Sequence, residues 1–529
     1  MPTHDLYLKQ NVLAAPLIDH WYAWSWLISP AQAAMYIANS HLKIMQSFVA
    51  APQIHVAALK NPAMRGGPFI NCDVSKVPVI KALMECTLSE QAHMLEFAAA
   101  VRDFSKTMRT VGTGCSLEPL YQQLPEVLKG YVELVYDLNH SPSIRFIEAL
   151  LYKSRYYDAS RQSLALSLVE GDDRPFALST PHLAGPDCLT VNLPFGAETW
   201  DRLFEMKRNS RPLGYIAEAL GVKNGSVDLL STFFTEEAPR PAEKYMGDSV
   251  RVRYFGHACL LIESKESCIL TDPVVSYNHG DGILRYTYDD LPENIDYALI
   301  THNHQDHCLF ETLLQLRHKI RTIVVPKNNG GGLADPSLKL VLQNIGFDQI
   351  REIDEIETIK IDGGEITGLP FLGEHADLNI RTKIAYLVNL KDRLIICAAD
   401  SNNIEPKLYE HLHDLIGDID LLFLGMECDG GPLSWLYGPV FTEALTRKQD
   451  QSRRLDGSDF AKGIDMVDRL KPKQVYVYAM GQEPWLTYLT SIQYTDESRP
   501  IIESDKLVEE CRRRGIESER LYGKKLITL

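Results

Sequence analysis

Tyr297-Ala-Leu-Ile-Thr-His-Asn-His-Gln-Asp-His307 is an apolar run that ends in a burst of metal-binding side chains. His302, His304, Asp306 and His307 fall within six positions. Neutral imidazole and carboxylate are the donors that divalent transition metals prefer. An extended segment cannot aim all four at one point. A strand end followed by a tight turn and a helix start can, with His302 and His304 serving one metal and Asp306 and His307 a second. The heptad Thr301–His307 therefore predicts a two-metal centre at the carboxyl end of a strand.

On either side of this stretch, from Ser249 onward, short apolar segments alternate with helical ones. Strands are expected at 250–255, 258–263, 268–271, 322–325, 384–390, 394–398, 421–425 and 475–478, and helices at 310–318, 335–344, 406–412 and 460–470. Many short strands with helices outside them predict a layered α/β sandwich. The glycines at 330–332 have no following Gly-Lys-Ser/Thr, so no phosphate loop is supported.

Residues 1–235 read as mainly helical with some extended pieces, helices being expected over 30–49 and 89–108. A polar segment with two prolines, Glu236 to Asp248, is the best linker. At 529 residues two domains are expected, 1–245 and 246–529. The net charge of −16 argues against nucleic acid or an anionic membrane as the main partner. Ten scattered cysteines without a CxxC pair fit free thiols in a reducing compartment. The start Met-Pro-Thr-His-Asp-Leu-Tyr shows no export signal, and the apolar stretch 21–38 is too mixed to span a bilayer, so a cytoplasmic location is expected.

The pieces Gly256-His257-Ala258, Leu270-Thr271-Asp272-Pro273 and Thr301–His307 resemble the metallo-β-lactamase superfamily, over roughly residues 250–480. The resemblance implies an αββα sandwich for the second domain. Asp272 is a candidate acceptor for a ligand imidazole, or simply the turn residue before Pro273. Hydrolases of this kind complete two zinc sites with a later His, an Asp and a final His. Leu372 to Asp377 fills the first slot and Ala398 to Ser401 the second. No histidine follows His413, and Val477 to Gln482 offers none. Adjacent residues then compete for the first slot. Glu374 would give a site of two imidazoles and one carboxylate suited to oxygen-activating iron, whereas His375 would favour zinc and hydrolysis. Neighbours in an extended segment point to opposite faces, so one of them is expected to reach the metals. The missing last histidine favours Glu374.

Over its whole length the chain is similar to the dinuclear-iron β-hydroxylases of chloramphenicol biosynthesis. That resemblance implies His302, His304 and Glu374 on one iron and Asp306, His307 and Asp400 on the other, with Glu427 near the cluster. Glu374, Asp400 and Glu427 are its candidate catalytic residues. It also implies dioxygen as co-substrate, an external electron donor and an N-terminal α/β domain used for dimerisation and docking. The substrate implied is an amino acid held as a thioester on a carrier domain of a nonribosomal peptide synthetase. The alternative is a zinc-dependent phosphodiesterase or thioesterase. His257 is expected to make a structural hydrogen bond and His279 to be solvated in a polar loop. Trp21, Trp24 and Trp26 are expected to pack within the N-terminal domain or line a dimer surface, and Trp435, Tyr437, Trp485 and Tyr488 to belong to the core or a channel. Arg512 to Arg514 read as a solvated helix face.

Overall fold

The computed structural model describes residues 5–529; residues 1–4, on which part of the reading of the N-terminus rests, lie outside it. The second half is built on two seven-stranded sheets packed face to face. The first runs in the order Ile350–Ile353, Ile320–Pro326, Ile295–Leu299, Cys268–Thr271, Cys259–Glu263, Arg251–Gly256 and Lys525–Thr528. The second runs Thr358–Ile361, Gly364–Leu369, Ala385–Leu390, Arg393–Cys397, Leu421–Gly425, Gln474–Tyr478 and Glu517–Arg520. The inner faces meet through Val252, Leu260, Leu299, Tyr386, Phe423 and Tyr476, all at most 1% exposed. Fully burying a side chain of this kind stabilises the fold by about 1.5–3 kcal/mol.

Helices Phe310–Leu316 and Leu338–Asn344 cover the outside of the first sheet, and Lys407–Ile416, Phe460–Leu470 and Arg499–Arg513 cover the second. The layering is αββα, as expected. Strand positions read from the sequence agree to within a residue or two. Five strands were not anticipated: Ile350–Ile353, Thr358–Ile361, Gly364–Leu369 and, last in the chain, Glu517–Arg520 and Lys525–Thr528; these last two are only four residues each. They are strands because Gln474–Tyr478 and Arg251–Gly256 offer them free edges.

The N-terminal half is less purely helical than its sequence suggests. It carries sheets of four, three and two strands, the largest centred on Val12–Ile18 paired with Gln162–Leu168. The helix expected over 30–49 is present but passes through a π-helical turn at Ile37–His41. The segment expected over 89–108 is cut at Gln91, where Val77–Glu90 ends and Ala92–Val111 begins. Between Phe234–Thr235 and Arg251–Gly256 no helix or strand forms.

The two halves share hydrophobic cores. One cluster joins Trp24, Trp26 and Tyr36 to Leu436 and Tyr437, and another joins Leu17 and Tyr22 to Phe255 and Trp485. The N-terminal half therefore buttresses the catalytic sandwich, and the early tryptophans pack across the boundary rather than within one domain. Among the described residues no helix is long and apolar enough to cross a membrane.

Candidate metal centre

The strand Ile295–Leu299 ends at the rim of the sandwich and the chain turns at once. Cys308 N–H donates to the His304 carbonyl (2.9 Å), closing a turn before helix Phe310–Leu316 starts. The backbone at Thr301 is pinned by Ile384 N–H (2.7 Å). From the other half, Ser25 Oγ donates to the Asn303 side chain. This strand–turn–helix path converges the heptad. His302 and His307 are fully buried, and His304 nearly so.

Asp272, itself fully buried at the end of the neighbouring strand, sets the tautomers. It accepts from Thr301 N–H (2.7 Å), Thr301 O–H (2.6 Å) and His307 Nδ1–H (2.8 Å). Because the Thr301 hydroxyl donates to Asp272, its oxygen accepts from His302 Nδ1–H at 3.1 Å. One carboxylate thus fixes two imidazoles, one directly and one through Thr301, and both turn Nε2 toward the cavity. Fixing a ligand imidazole through its other nitrogen is the general requirement at metal sites. His304 binds the Tyr437 hydroxyl through Nε2 (2.8 Å), which leaves Nδ1 facing Glu374 Oε1 at 2.8 Å. Trp26 of the N-terminal half packs on Tyr437, with ring centroids 5.4 Å apart.

The carboxylates arrive from the second sheet. His307 Nε2 lies 3.1 Å from Asp400 Oδ2, and His302 Nε2 lies 3.7 Å from that oxygen and 3.9 Å from Glu374 Oε2. At this rim three sets of ligand atoms fall within 4.8 Å of one another: His302, His304 and Glu374; His302, His307 and Asp400; and His257, Asp306 and His307. All six ligands expected from sequence are therefore brought together. His257 joins them, its Nε2 being 3.3 Å from Asp306 Oδ2.

The expectation that Glu374 and His375 face opposite sides does not hold. The segment is a tight bend, with Gly373, Glu374, Ala376 and Asp377 all at positive φ, and both side chains turn inward. His375 is buried, stacks on His304 at 4.7 Å and places Nδ1 2.7 Å from Glu374 Oε2. Glu374 is the one grouped with His302 and His304. Glu427 lines the same cavity, of about 250 Å³, together with Asp306, Asp400, Trp435 and Arg65. His279 is not solvated: its side chain is 7% exposed and its Nε2 lies 3.0 Å from Asp172. Trp485 packs against Gly256, and Tyr488 is buried beside Glu311.

The electrostatics are those of a site built for cations. Burial by itself would raise Glu374, but His304 and His375 outweigh it and bring the carboxyl down to about 2. Burial would lower His307, yet Asp400 and Asp272 hold its proton well above the ordinary imidazole range. Burial takes His302 well below that range, with the surrounding histidines adding to the effect. Burial pushes Glu427 up to about 8, against bonds from Tyr494 and the Asp429 amide. His302 Nε2 and Asp400 Oδ1 are buried without a hydrogen-bond partner. Such orphaned atoms are costly unless something binds them. Two imidazoles with one carboxylate, beside an imidazole with further carboxylates, is the donor set that suits a pair of non-haem irons.

The family model of a diiron non-heme beta-hydroxylase N-terminal domain matches residues 7–239, and that of a beta-lactamase superfamily domain matches residues 251–427. The 4-amino-L-phenylalanyl-[CmlP-peptidyl-carrier-protein] 3-hydroxylase of Streptomyces venezuelae is 39% identical, over 99% of each chain. This chain belongs to the diiron non-heme β-hydroxylase family. The crystal structure of CmlA, a diiron beta-hydroxylase from Streptomyces venezuelae, superposes with a TM-score of 0.93 at 38% identity, covering 99% of both chains. A CmlA point variant gives 0.91 at 38% identity, over 99% of this chain and 100% of the other. The zinc-hydrolase alternative falls with these matches, because the full-length relative is a hydroxylase. The family's chemistry needs two iron ions and dioxygen, and the residues described here fit that pair.

The sequence missed three contributors: Thr301 as a relay, Tyr437 as the partner of His304, and Ser25 as a support for the heptad. Thr301 was in plain view beside His302. The other two come from distant segments and left no local signal.

Proposed function

We propose that this chain hydroxylates the β-carbon of an amino acid tethered as a thioester to a carrier domain of a nonribosomal peptide synthetase. In this reading His302, His304 and Glu374 hold one iron, and Asp306, His307 and Asp400 hold the other. The observation that carries it is the pair of Nε2 atoms that Asp272 and Thr301 turn onto Asp400 and Glu374. When bound, the iron pair supplies the activation of dioxygen, using electrons from an external donor.

The chain's own residues do the rest. Asp272 keeps His302 and His307 in their ligating tautomers. Glu427 lines the cavity, its carboxyl pushed up to about 8 by burial in the iron-free protein, and Tyr494 O–H donates to its Oε1 at 3.2 Å. Packing from Trp26, Tyr437 and Trp485 keeps bulk water from the buried side of the cluster. The entrance is shared between the halves: Arg65 and Gly66 of the N-terminal half line it, and Trp435 Nε1–H donates to the Gly66 carbonyl at 2.9 Å. The reading divides the chain at 1–245 and 246–529, in the segment without helix or strand between Phe234–Thr235 and Arg251–Gly256, with the first part docking the carrier and forming a homodimer, in the cytoplasm.

The test is hydroxylation of a panel of aminoacyl-loaded carrier domains by iron-loaded protein, reductant and oxygen, read by intact mass. The expected result is a gain of one oxygen atom on one loaded carrier, with two irons per chain. Hydroxylation of the free amino acid with no change on any loaded carrier would overturn the reading.

A further inference from the structure

We propose that His257 is not an iron ligand but a positioning residue, whose Nε2–H donates to the Asp306 carboxylate because the backbone at Gly481 fixes its tautomer. The proposal rests on the reading that Asp306 and His307 hold iron.

His257 follows Gly256, the last residue of a central strand, with φ of 51°, and is 2% exposed. Two backbone bonds grip it from the turn after Gln474–Tyr478. Ala479 N–H donates to its carbonyl (3.0 Å) and Gly481 N–H donates to its ring Nδ1 (3.2 Å). A neutral imidazole has one bare nitrogen and one N–H. With Nδ1 accepting from Gly481, the proton must sit on Nε2, and a nitrogen carrying a proton cannot ligate a metal.

The protonated Nε2 lies 3.3 Å from Asp306 Oδ2 and 3.2 Å from His307 Nε2. His307 gives its Nδ1 proton to Asp272, which leaves Nε2 as the nitrogen that would take iron. The His257 N–H therefore lies between two groups that would hold metal, the Asp306 carboxylate and His307 Nε2. Once iron takes the His307 lone pair, the Asp306 oxygen remains as its acceptor. A donor on a ligand carboxylate fixes its orientation and draws electron density from the metal.

Residues 477–482 are also where a related zinc hydrolase would bring its last histidine ligand. Here that turn supplies an amide instead. Gly481 has φ of 62°, and a Cβ on it would stand 3.0 Å from Ile492 Cδ1, so the turn that aims this N–H favours glycine. One imidazole is thus missing from the turn, and the nearest remaining imidazole is barred from replacing it.

The experiment compares iron-loaded wild type with His257→Leu, which removes the donor, and His257→Gln, which places an amide N–H near the same point. Iron per chain, the rate of iron release to a chelator and the visible absorption of the oxidised cluster are read. The expected result for His257→Leu is full iron loading with roughly 10–100-fold faster release and a shifted absorption band, both restored toward wild type by His257→Gln. Loss of one iron per chain in both variants, or a release rate in His257→Leu equal to wild type, would overturn the proposal. A crystal structure of the iron-loaded wild type decides the matter even if a variant fails to fold. His257 Nε2 is expected at hydrogen-bond distance from Asp306, and a bond from it to iron refutes the inference. Wild type that binds no iron would instead refute the ligand assignment beneath it.

Discussion

Asp272→Asn should strip the centre of iron although it changes one atom and leaves the side chain's shape. Asp272 is fully buried and accepts three hydrogen bonds, two of them on Oδ2 from donors that have no other orientation compatible with iron. In the amide, one position is an NH2. Placed at Oδ2, it meets the Thr301 hydroxyl and His307 Nδ1. His307 can then bond it only by moving its own proton to Nε2, the atom that faces Asp400 at 3.1 Å. Placed at Oδ1, it opposes the Thr301 backbone N–H, and a buried donor left unpaired costs about 1–3 kcal/mol. Loss of a partner that orients a ligand typically weakens metal binding about 10–100-fold, which is about 1.4–2.7 kcal/mol. The assay is a chelator competition on Asp272→Asn and wild type, with thermal unfolding of the iron-free forms as a control for folding. A folded variant whose iron affinity stays within about threefold of wild type would refute the tautomer argument.

Two further outcomes follow from the same geometry. Glu374→Ala should lose one iron and activity, whereas His375→Ala should keep both irons; the reverse pattern, measured by metal analysis and turnover, would transfer the ligand role to His375. The second concerns pH. In the iron-free protein the raised His304 and His307 stabilise the fold below about 6.5, and that contribution is lost as pH rises through their folded values. The lowered Glu374 contributes above about 4.5 and loses its effect as pH falls toward 2. These three groups should therefore contribute most between about 4.5 and 6.5 in the iron-free protein. Iron must displace the histidine protons, so the gap in Tm between loaded and iron-free protein should widen above pH 6.5. A constant gap across that range would refute the protonation scheme.

How much of this was legible in sequence varies with the locality of the cause. The heptad announced its own metals because four donor side chains lie within one turn of chain, and the sandwich followed from short apolar strands whose burial on both faces is written in their composition. The last two strands were illegible, since a four-residue segment becomes a strand only when a free sheet edge captures it.

Glu374 shows the boundary most clearly. The absence of a histidine after His413 selected it by elimination, but the supporting premise of an extended segment was wrong. A bend of positive-φ residues turns both Glu374 and His375 inward.

By itself the sequence determined the donor types, their order along the chain and the fold that carries them, because those depend on residues close together or on patterns of burial. The tertiary structure decided which nitrogen of each imidazole is bare. That choice is made by the bond His307 gives to Asp272, the bond between His304 and Tyr437, and the bond from Gly481 N–H to His257; these partners lie far from the histidines in sequence and reach them only once the sheets are assembled.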